Sequence, residues 1–221
     1  MDRSRPGTRR AVESVYLTDG HGSVSGGTLV GLTTKDGVLV MADTRTSREA
    51  SVCSETVQKI SQVHPTAVMG STADLGAVQS FVRTIRSESE RYEVSHGQPM
   101  DMTALSTVVA SELPQRSVPN STFLLCGVDD DGPHVFTLGR DGSVIEEAYA
   151  AVGSGRQVAF GILDAEASPA LTMSEARRVA GRAIQSAAER DVQTGVGVHA
   201  AEISDDGVDL KRYDSVETLE Q

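Results

Sequence analysis

Lysine is almost missing from this chain of 221 residues: it occurs only as Lys35, Lys59 and Lys211, and arginine supplies the other cations. The formal net charge is -11, and no clustered basic face is available to neutralise phosphates, so nucleic acid is not an expected partner. Cysteine is equally scarce. Cys53 and Cys126 stand far apart in apolar settings and read as two small buried side chains, not as a disulfide or metal pair, and no zinc-ligand spacing occurs. No stretch of about 18 apolar residues is present to span a bilayer, and the basic start MDRSRPGTRR lacks the apolar run of a secretion signal. A cytoplasmic location with no membrane partner is therefore expected. There is also no internal repeat and no phosphate-binding glycine loop, since Gly153-Ser154-Gly155 is too short for one.

What the chain does have is the patterning of a single domain. Its 38% hydrophobic content suffices for a sizeable core, and no break in composition argues for a second domain. Residues 1–26, rich in Arg, Ser and Gly and without a sustained period, are expected to be a disordered or removable leader, with the domain over 27–215 and a tail at 216–221. Gly26 to Asp43, GGTLVGLTTKDGVLVMAD, reads as a β-hairpin turning at Lys35-Asp36-Gly37, with two glycines and Thr28 at one end and a carboxylate at the other. Thr44 to Thr56 is polar and irregular, and strands follow at 57–63 and 67–70. Ser71 and Asp74 have the spacing of a helix start ahead of Leu75, Val78, Phe81, Val82 and Ile85. A second helix is predicted from Met102 to Leu113, stopped by Pro114.

Strands at 122–128, 134–138 and 144–152 come next, separated by the turn signals Asp131-Gly132 and Asp141-Gly142. A helix near 157–166 precedes another that opens on a capping box, Thr172 with Glu175, and packs through a face made mostly of alanine. Gly197 to Ser204 and Val208 to Tyr213 close the chain as a hairpin across Asp206-Gly207. Strands joined by tight turns, with the helices in two separate pairs, predict an α+β fold: a four-layer αββα sandwich of two antiparallel sheets flanked by helices.

Several pieces, in this order and spacing, resemble the β-type subunits of the 20S proteasome, within the N-terminal-nucleophile hydrolases. They are the VGL-TTKDGV-LVMAD-TR hairpin, Val57-Gln58-Lys59-Ile60, Ala73-Asp74, the run from Cys126 to Val135, Gly153-Ser154-Gly155, and Glu189-Arg190-Asp191 leading to Thr194-Gly195. The resemblance implies a threonine-type endopeptidase that hydrolyses peptide bonds of unfolded proteins through an N-terminal threonine exposed by propeptide removal. A free α-amine, with a pKa near roughly 8, then serves as base for the hydroxyl of the same residue. It implies further that Lys59 and Asp43 tune the site, and that Ser154, Asp191 and Thr194 orient the terminal amine. Arg45 and Ser47 would begin the substrate-cleft strand, and the Gly70 amide would stabilise the oxyanion. Other α- and β-type subunits in stacked rings, protein substrates, and neither cofactor nor metal follow from the same resemblance. The acidic, lysine-poor composition is in turn similar to that of salt-adapted archaeal proteins, whose carboxylates keep them soluble in brine.

One departure sits at the nucleophile. Counting back from Val30-Gly31 or from Asp43 places the terminal threonine of the family at Gly27, and the nearest hydroxyl is one residue late, at Thr28. Side chains alternate faces along a strand, so Thr28 points to the face opposite the one that Gly27 would use. Thr28 remains the candidate nucleophile if cleavage falls between Gly27 and Thr28. The alternative is a catalytically silent ring subunit in which Gly27 occupies the nucleophile position, and a small-substrate amidase of the same superfamily is a third reading.

Overall fold

The computed structural model describes residues 24–48, 51–116, 118 and 121–220. In chain order its strands are β1 (Thr28–Thr34), β2 (Gly37–Asp43), β3 (Thr46–Arg48), β4 (Ser51–Ser54), β5 (Ile60–His64) and β6 (Ala67–Ser71). After the helices α1 (Leu75–His96) and α2 (Met102–Glu112) come β7 (Thr122–Asp129), β8 (Gly132–Gly139), β9 (Val144–Glu146) and β10 (Tyr149–Gly153). The chain ends with α3 (Arg156–Glu166), α4 (Met173–Arg190), β11 (Val198–Ser204) and β12 (Gly207–Tyr213), followed by a 3-10 turn over Val216–Glu220.

The strands form two five-stranded antiparallel sheets, ordered β10-β1-β2-β11-β12 and β5-β6-β7-β8-β9, with β3-β4 as a separate hairpin. Alternation along β1 and β2 explains why both are buried throughout. Val30, Leu32, Leu39 and Met41 face α3 and α4, where the small Ala176, Ala180 and Ala183 let α4 come close. Leu29, Val38, Val40 and Ala42 face the other sheet and meet Ile60, Val68, Leu124 and Cys126. A third cluster, with Phe81 and Phe123 in edge-to-face contact, joins the second sheet to α1 and α2. The result is the α+β, αββα arrangement anticipated from the sequence.

Several boundaries differ from the sequence reading, each for a local reason. The stretch 144–152 is two strands in different sheets: Val144–Glu146 pairs with β8, whereas Tyr149–Gly153 pairs with β1. The crossing falls at Glu147 and Ala148, whose backbone groups bond Val135 in one sheet and Thr33 in the other. Thr44 to Thr56 is not irregular throughout, because β3 and β4 make a short hairpin within it. Val57 to Lys59 lies outside β5, which starts at Ile60. The N-cap of α1 is Asp74, whose side chain accepts from Ala77 N, and Ser71 is the last residue of β6. At α4 the capping box of Thr172 and Glu175 is complete in both directions. Cys126 is buried as expected, but Cys53 on β4 is exposed, as are Ser51 and Val52 beside it. The expected leader lies outside the described residues up to 23.

One ion pair cluster ties the outer edge of the second sheet. His134 Nδ1 lies 2.6 Å from Glu146 Oε1 and His134 Nε2 lies 3.0 Å from Asp129 Oδ1, so the ring satisfies both carboxylates only as the imidazolium. Burial works against that charge, but the hydrogen bonds to Glu146 and Asp129 outweigh it and raise the His134 pKa. A raised folded-state pKa adds stability that is fully present below the unfolded value, roughly 6.5, and is lost as pH rises through the folded value. Denaturant unfolding of the native chain and of His134→Gln is therefore expected to differ most near pH 6 and to converge on the alkaline side. Solvent screening keeps the difference at about 1 kcal/mol or less. A gap that widens with pH would contradict this charge assignment.

Candidate active site

The β1–β2 hairpin delivers the first half of the site. Its turn places Gly37 at φ +136°, and its register sets Leu29 opposite Ala42, which leaves Thr28 and Asp43 at the open end. Asp43 is fully buried. Its Oδ1 accepts from Thr28 N at 2.7 Å and from Lys59 Nζ at 2.6 Å, while its Oδ2 accepts from Arg45 N at 2.9 Å and Gly195 N at 2.7 Å. Lys59 reaches Asp43 from the second sheet, just ahead of β5, and is buried as well. Burial lowers the Lys59 pKa and raises that of Asp43, each opposed by attraction to the other.

The second half comes from the β10–α3 turn and the end of α4. Ser154 Oγ and Thr194 Oγ1 both donate to Asp191 Oδ2, each at 2.6 Å. With its proton committed to Asp191, the Thr194 hydroxyl accepts from Thr28 Oγ1 at 2.8 Å. The result is a directed chain from Thr28 through Thr194 to Asp191. Ser154 Oγ accepts from Gly27 N at 3.2 Å, and Ser154 N donates to Gly27 O at 2.9 Å.

Gly27 precedes β1 and Thr28 is its first residue, and the two look to opposite sides. A β-carbon on Gly27, which has φ +105°, would fall directly on Lys59 Nζ and Asp43 Oδ1. Thr28 turns instead toward the α3 and α4 side, and its hydroxyl makes its hydrogen bond to Thr194. Gly155, not singled out as a site residue in the sequence, makes this possible, because a β-carbon there would overlap Thr28 Oγ1 and crowd Thr194 Oγ1. The Gly-Ser-Gly spacing was its only signal.

The remaining expected site residues divide. Arg45 staples the loop of the second half, with Nη1 donating to Val192 O and Thr194 O, each at 3.1 Å. Ser47 N donates to Ser25 O at 2.9 Å and Ser25 N to Ser47 O at 3.0 Å, an isolated antiparallel bridge that holds the chain ahead of β1 against β3. Gly70 is buried in β6, and a β-carbon there would meet Leu29 Cδ1 at 2.6 Å and Lys59 O at 2.8 Å. Close packing of the two sheets thus accounts for this glycine without reference to an oxyanion. A groove of about 1420 Å³ is lined in part by Ser25, Gly26, Ser154 and Gln193. Among the described residues there is no cluster of three or more potential metal ligands, and no helix is long and apolar enough to cross a membrane.

Comparison with known proteins bears on this geometry. A family described as Proteasome subunit matches residues 23–203, a span that includes every candidate site residue. The chain is 39% identical over 196 residues to a proteasome subunit beta of Haloferax volcanii, covering 89% of this chain and 81% of that protein. It is 41% identical over 196 residues to a proteasome subunit beta of Halobacterium salinarum, covering 87% and 81%. A proteasome subunit beta 2 of Haloarcula marismortui is 39% identical over 199 residues, covering 89% and 86%.

Proposed function

The chain belongs to the proteasome family as a β-type subunit, and from this premise we propose that it is a threonine-type endopeptidase whose nucleophile is Thr28. The observation that carries the reading is that both polar ends of Thr28 are already held by the charged set: its N on Asp43, beside Lys59, and its hydroxyl on Thr194, bonded to Asp191. Hydrolysis of the Gly27–Thr28 bond consumes one water and leaves a carboxylate on Gly27 and a free amine on Thr28. The first residue of a chain then turns about its Cα–C bond with no preceding peptide to hold it. A turn of about 120°, the spacing of substituents on a tetrahedral carbon, carries the side chain into the place that the nitrogen had held. The amine shifts to the place of the α-hydrogen, and the hydroxyl enters the space that Gly27 had left beside Lys59.

From there the chemistry is acyl transfer. Thr28 Oγ1 adds to a peptide carbonyl carbon while its proton passes to the free amine of the same residue; the carbon–nitrogen bond breaks, and the leaving amine takes that proton. Water then cleaves the ester and restores the hydroxyl. Substrates in this reading are unfolded proteins, the partners are other proteasome α- and β-type subunits in stacked rings, and the setting is the cytoplasm. Neither nucleic acid nor a membrane takes part.

A second reading is a catalytically silent ring subunit, favoured by one observation: the residue facing Lys59 and Asp43 is Gly27, which has no side chain. One experiment separates the two. Intact mass and N-terminal sequencing of the assembled particle, before and after a threonine-directed covalent inhibitor, are expected to show a mature end at Thr28 with one adduct on it. A retained leader and no adduct would establish the silent reading.

A further inference from the structure

Gln193 sits on the turn between Asp191 and Thr194, and its backbone N donates to Asp191 Oδ1 at 3.2 Å. That bond fixes it to the polar chain that ends on Thr28. Its side chain lies over Gly26: a β-carbon built on Gly26 would come within 2.5 Å of Gln193 Oε1, 2.9 Å of its Cβ and 3.0 Å of its Cδ. The Gly26 N donates to Thr72 O at 2.8 Å. The chain is thus enclosed by Gln193 and Thr72 two residues ahead of Thr28, in a backbone conformation with φ +100°.

We propose that Gln193 is a specificity-determining residue for leader removal, closing over the backbone at residue 26 so that only a residue without a side chain is accepted there. The role rests on the reading above, in which the Gly27–Thr28 bond is hydrolysed. It differs from the other glycine requirement of the segment, since at Gly27 the obstructing groups are Lys59 and Asp43. A positive φ at residue 26 also favours glycine, but that cause is independent of what occupies position 193. The steric cause disappears when the Gln193 side chain does. Its three contacts run from Cβ to the amide oxygen, so alanine at 193 would leave one of them and only glycine removes all.

A double-substitution cycle therefore separates the causes. The full-length chain, Gly26→Ala, Gln193→Gly and the combined variant are assembled, and the cut fraction is followed by intact mass. Gly26→Ala is expected to slow cutting at least about tenfold more when residue 193 is Gln than when it is Gly. Equal slowing in the two backgrounds overturns the role and assigns the glycine requirement to backbone strain. A Gly26→Ala chain that folds only together with Gln193→Gly reports the same coupling and supports the role. Failure to fold in both backgrounds counts as equal loss and overturns it. An uncut native chain overturns the assignment of Thr28 and this role together, whereas a cut native chain with no coupling removes the role of Gln193 alone.

Discussion

Thr28→Ala is expected to reduce peptide hydrolysis by the assembled particle by at least about 10³-fold, because removing a nucleophile removes the covalent step itself. Thr28→Ser keeps the hydroxyl and is expected to retain activity, and the contrast between the two variants isolates the oxygen from the rest of the side chain. Folding is not the confounding factor. Thr28 Oγ1 makes one buried hydrogen bond, to Thr194, whose own proton stays on Asp191. Its loss costs about 1 kcal/mol, which leaves most of the stability of a domain in place. A Thr28→Ala particle as active as the native one would remove Thr28 from the mechanism. If the Thr28→Ser particle were as inactive as Thr28→Ala, the methyl group would have to be as necessary as the hydroxyl, and the rotation of a freed first residue would lose its simplest support.

The largest effect on stability is expected at Asp43. Asp43→Ala leaves a buried Lys59 without a counter-charge and strips the acceptor from three backbone N–H groups, those of Thr28, Arg45 and Gly195. Breaking one side of a buried ion pair costs about 3–5 kcal/mol, and the unsatisfied donors add to it. Lys59→Met is expected to be milder, since the carboxylate keeps its three backbone donors and the new side chain fills much of the same volume. Denaturant midpoints of the two variants test the order. If Lys59→Met proved equal to or worse than Asp43→Ala, the backbone donors would not be what holds the carboxylate in place. Activity follows a different order, because both variants remove the buried ion pair beside Thr28 and both are expected to abolish hydrolysis.

Much of the architecture was legible because it rests on local rules. Tight turns at Lys35-Asp36-Gly37, Asp131-Gly132 and Asp206-Gly207 force antiparallel neighbours, and the observed hairpins follow them. The Thr172–Glu175 capping box also follows from residue spacing alone and was found complete. What escaped the reading were events that depend on a distant neighbour. The run Val144 to Val152 has one hydrophobic pattern, yet it serves two sheets because β8 and β1 compete for it, and the change occurs where Glu147 and Ala148 bond one sheet each. Cys53 reads as a small buried residue, but β4 is exposed from Ser51 to Cys53. Gly155 and Gln193 act by contact with residues more than a hundred positions away, Gly155 by yielding space to Thr28 and Gln193 by taking it at Gly26.

At Thr28 the same division holds. Strand alternation is a property of the backbone, so the order Gly26-Gly27-Thr28 already determined that Gly27 and Thr28 look to opposite sides. Composition likewise made Lys59 conspicuous among three lysines. Only the tertiary structure decided what lies on each side. Lys59 comes from the other sheet to meet Asp43 on the side of Gly27, and Thr194 comes from the end of α4 to meet the hydroxyl of Thr28. A carboxylate and an ammonium are buried together only where several chain segments converge to supply donors, and that convergence is set by the packing of two sheets and a helix layer.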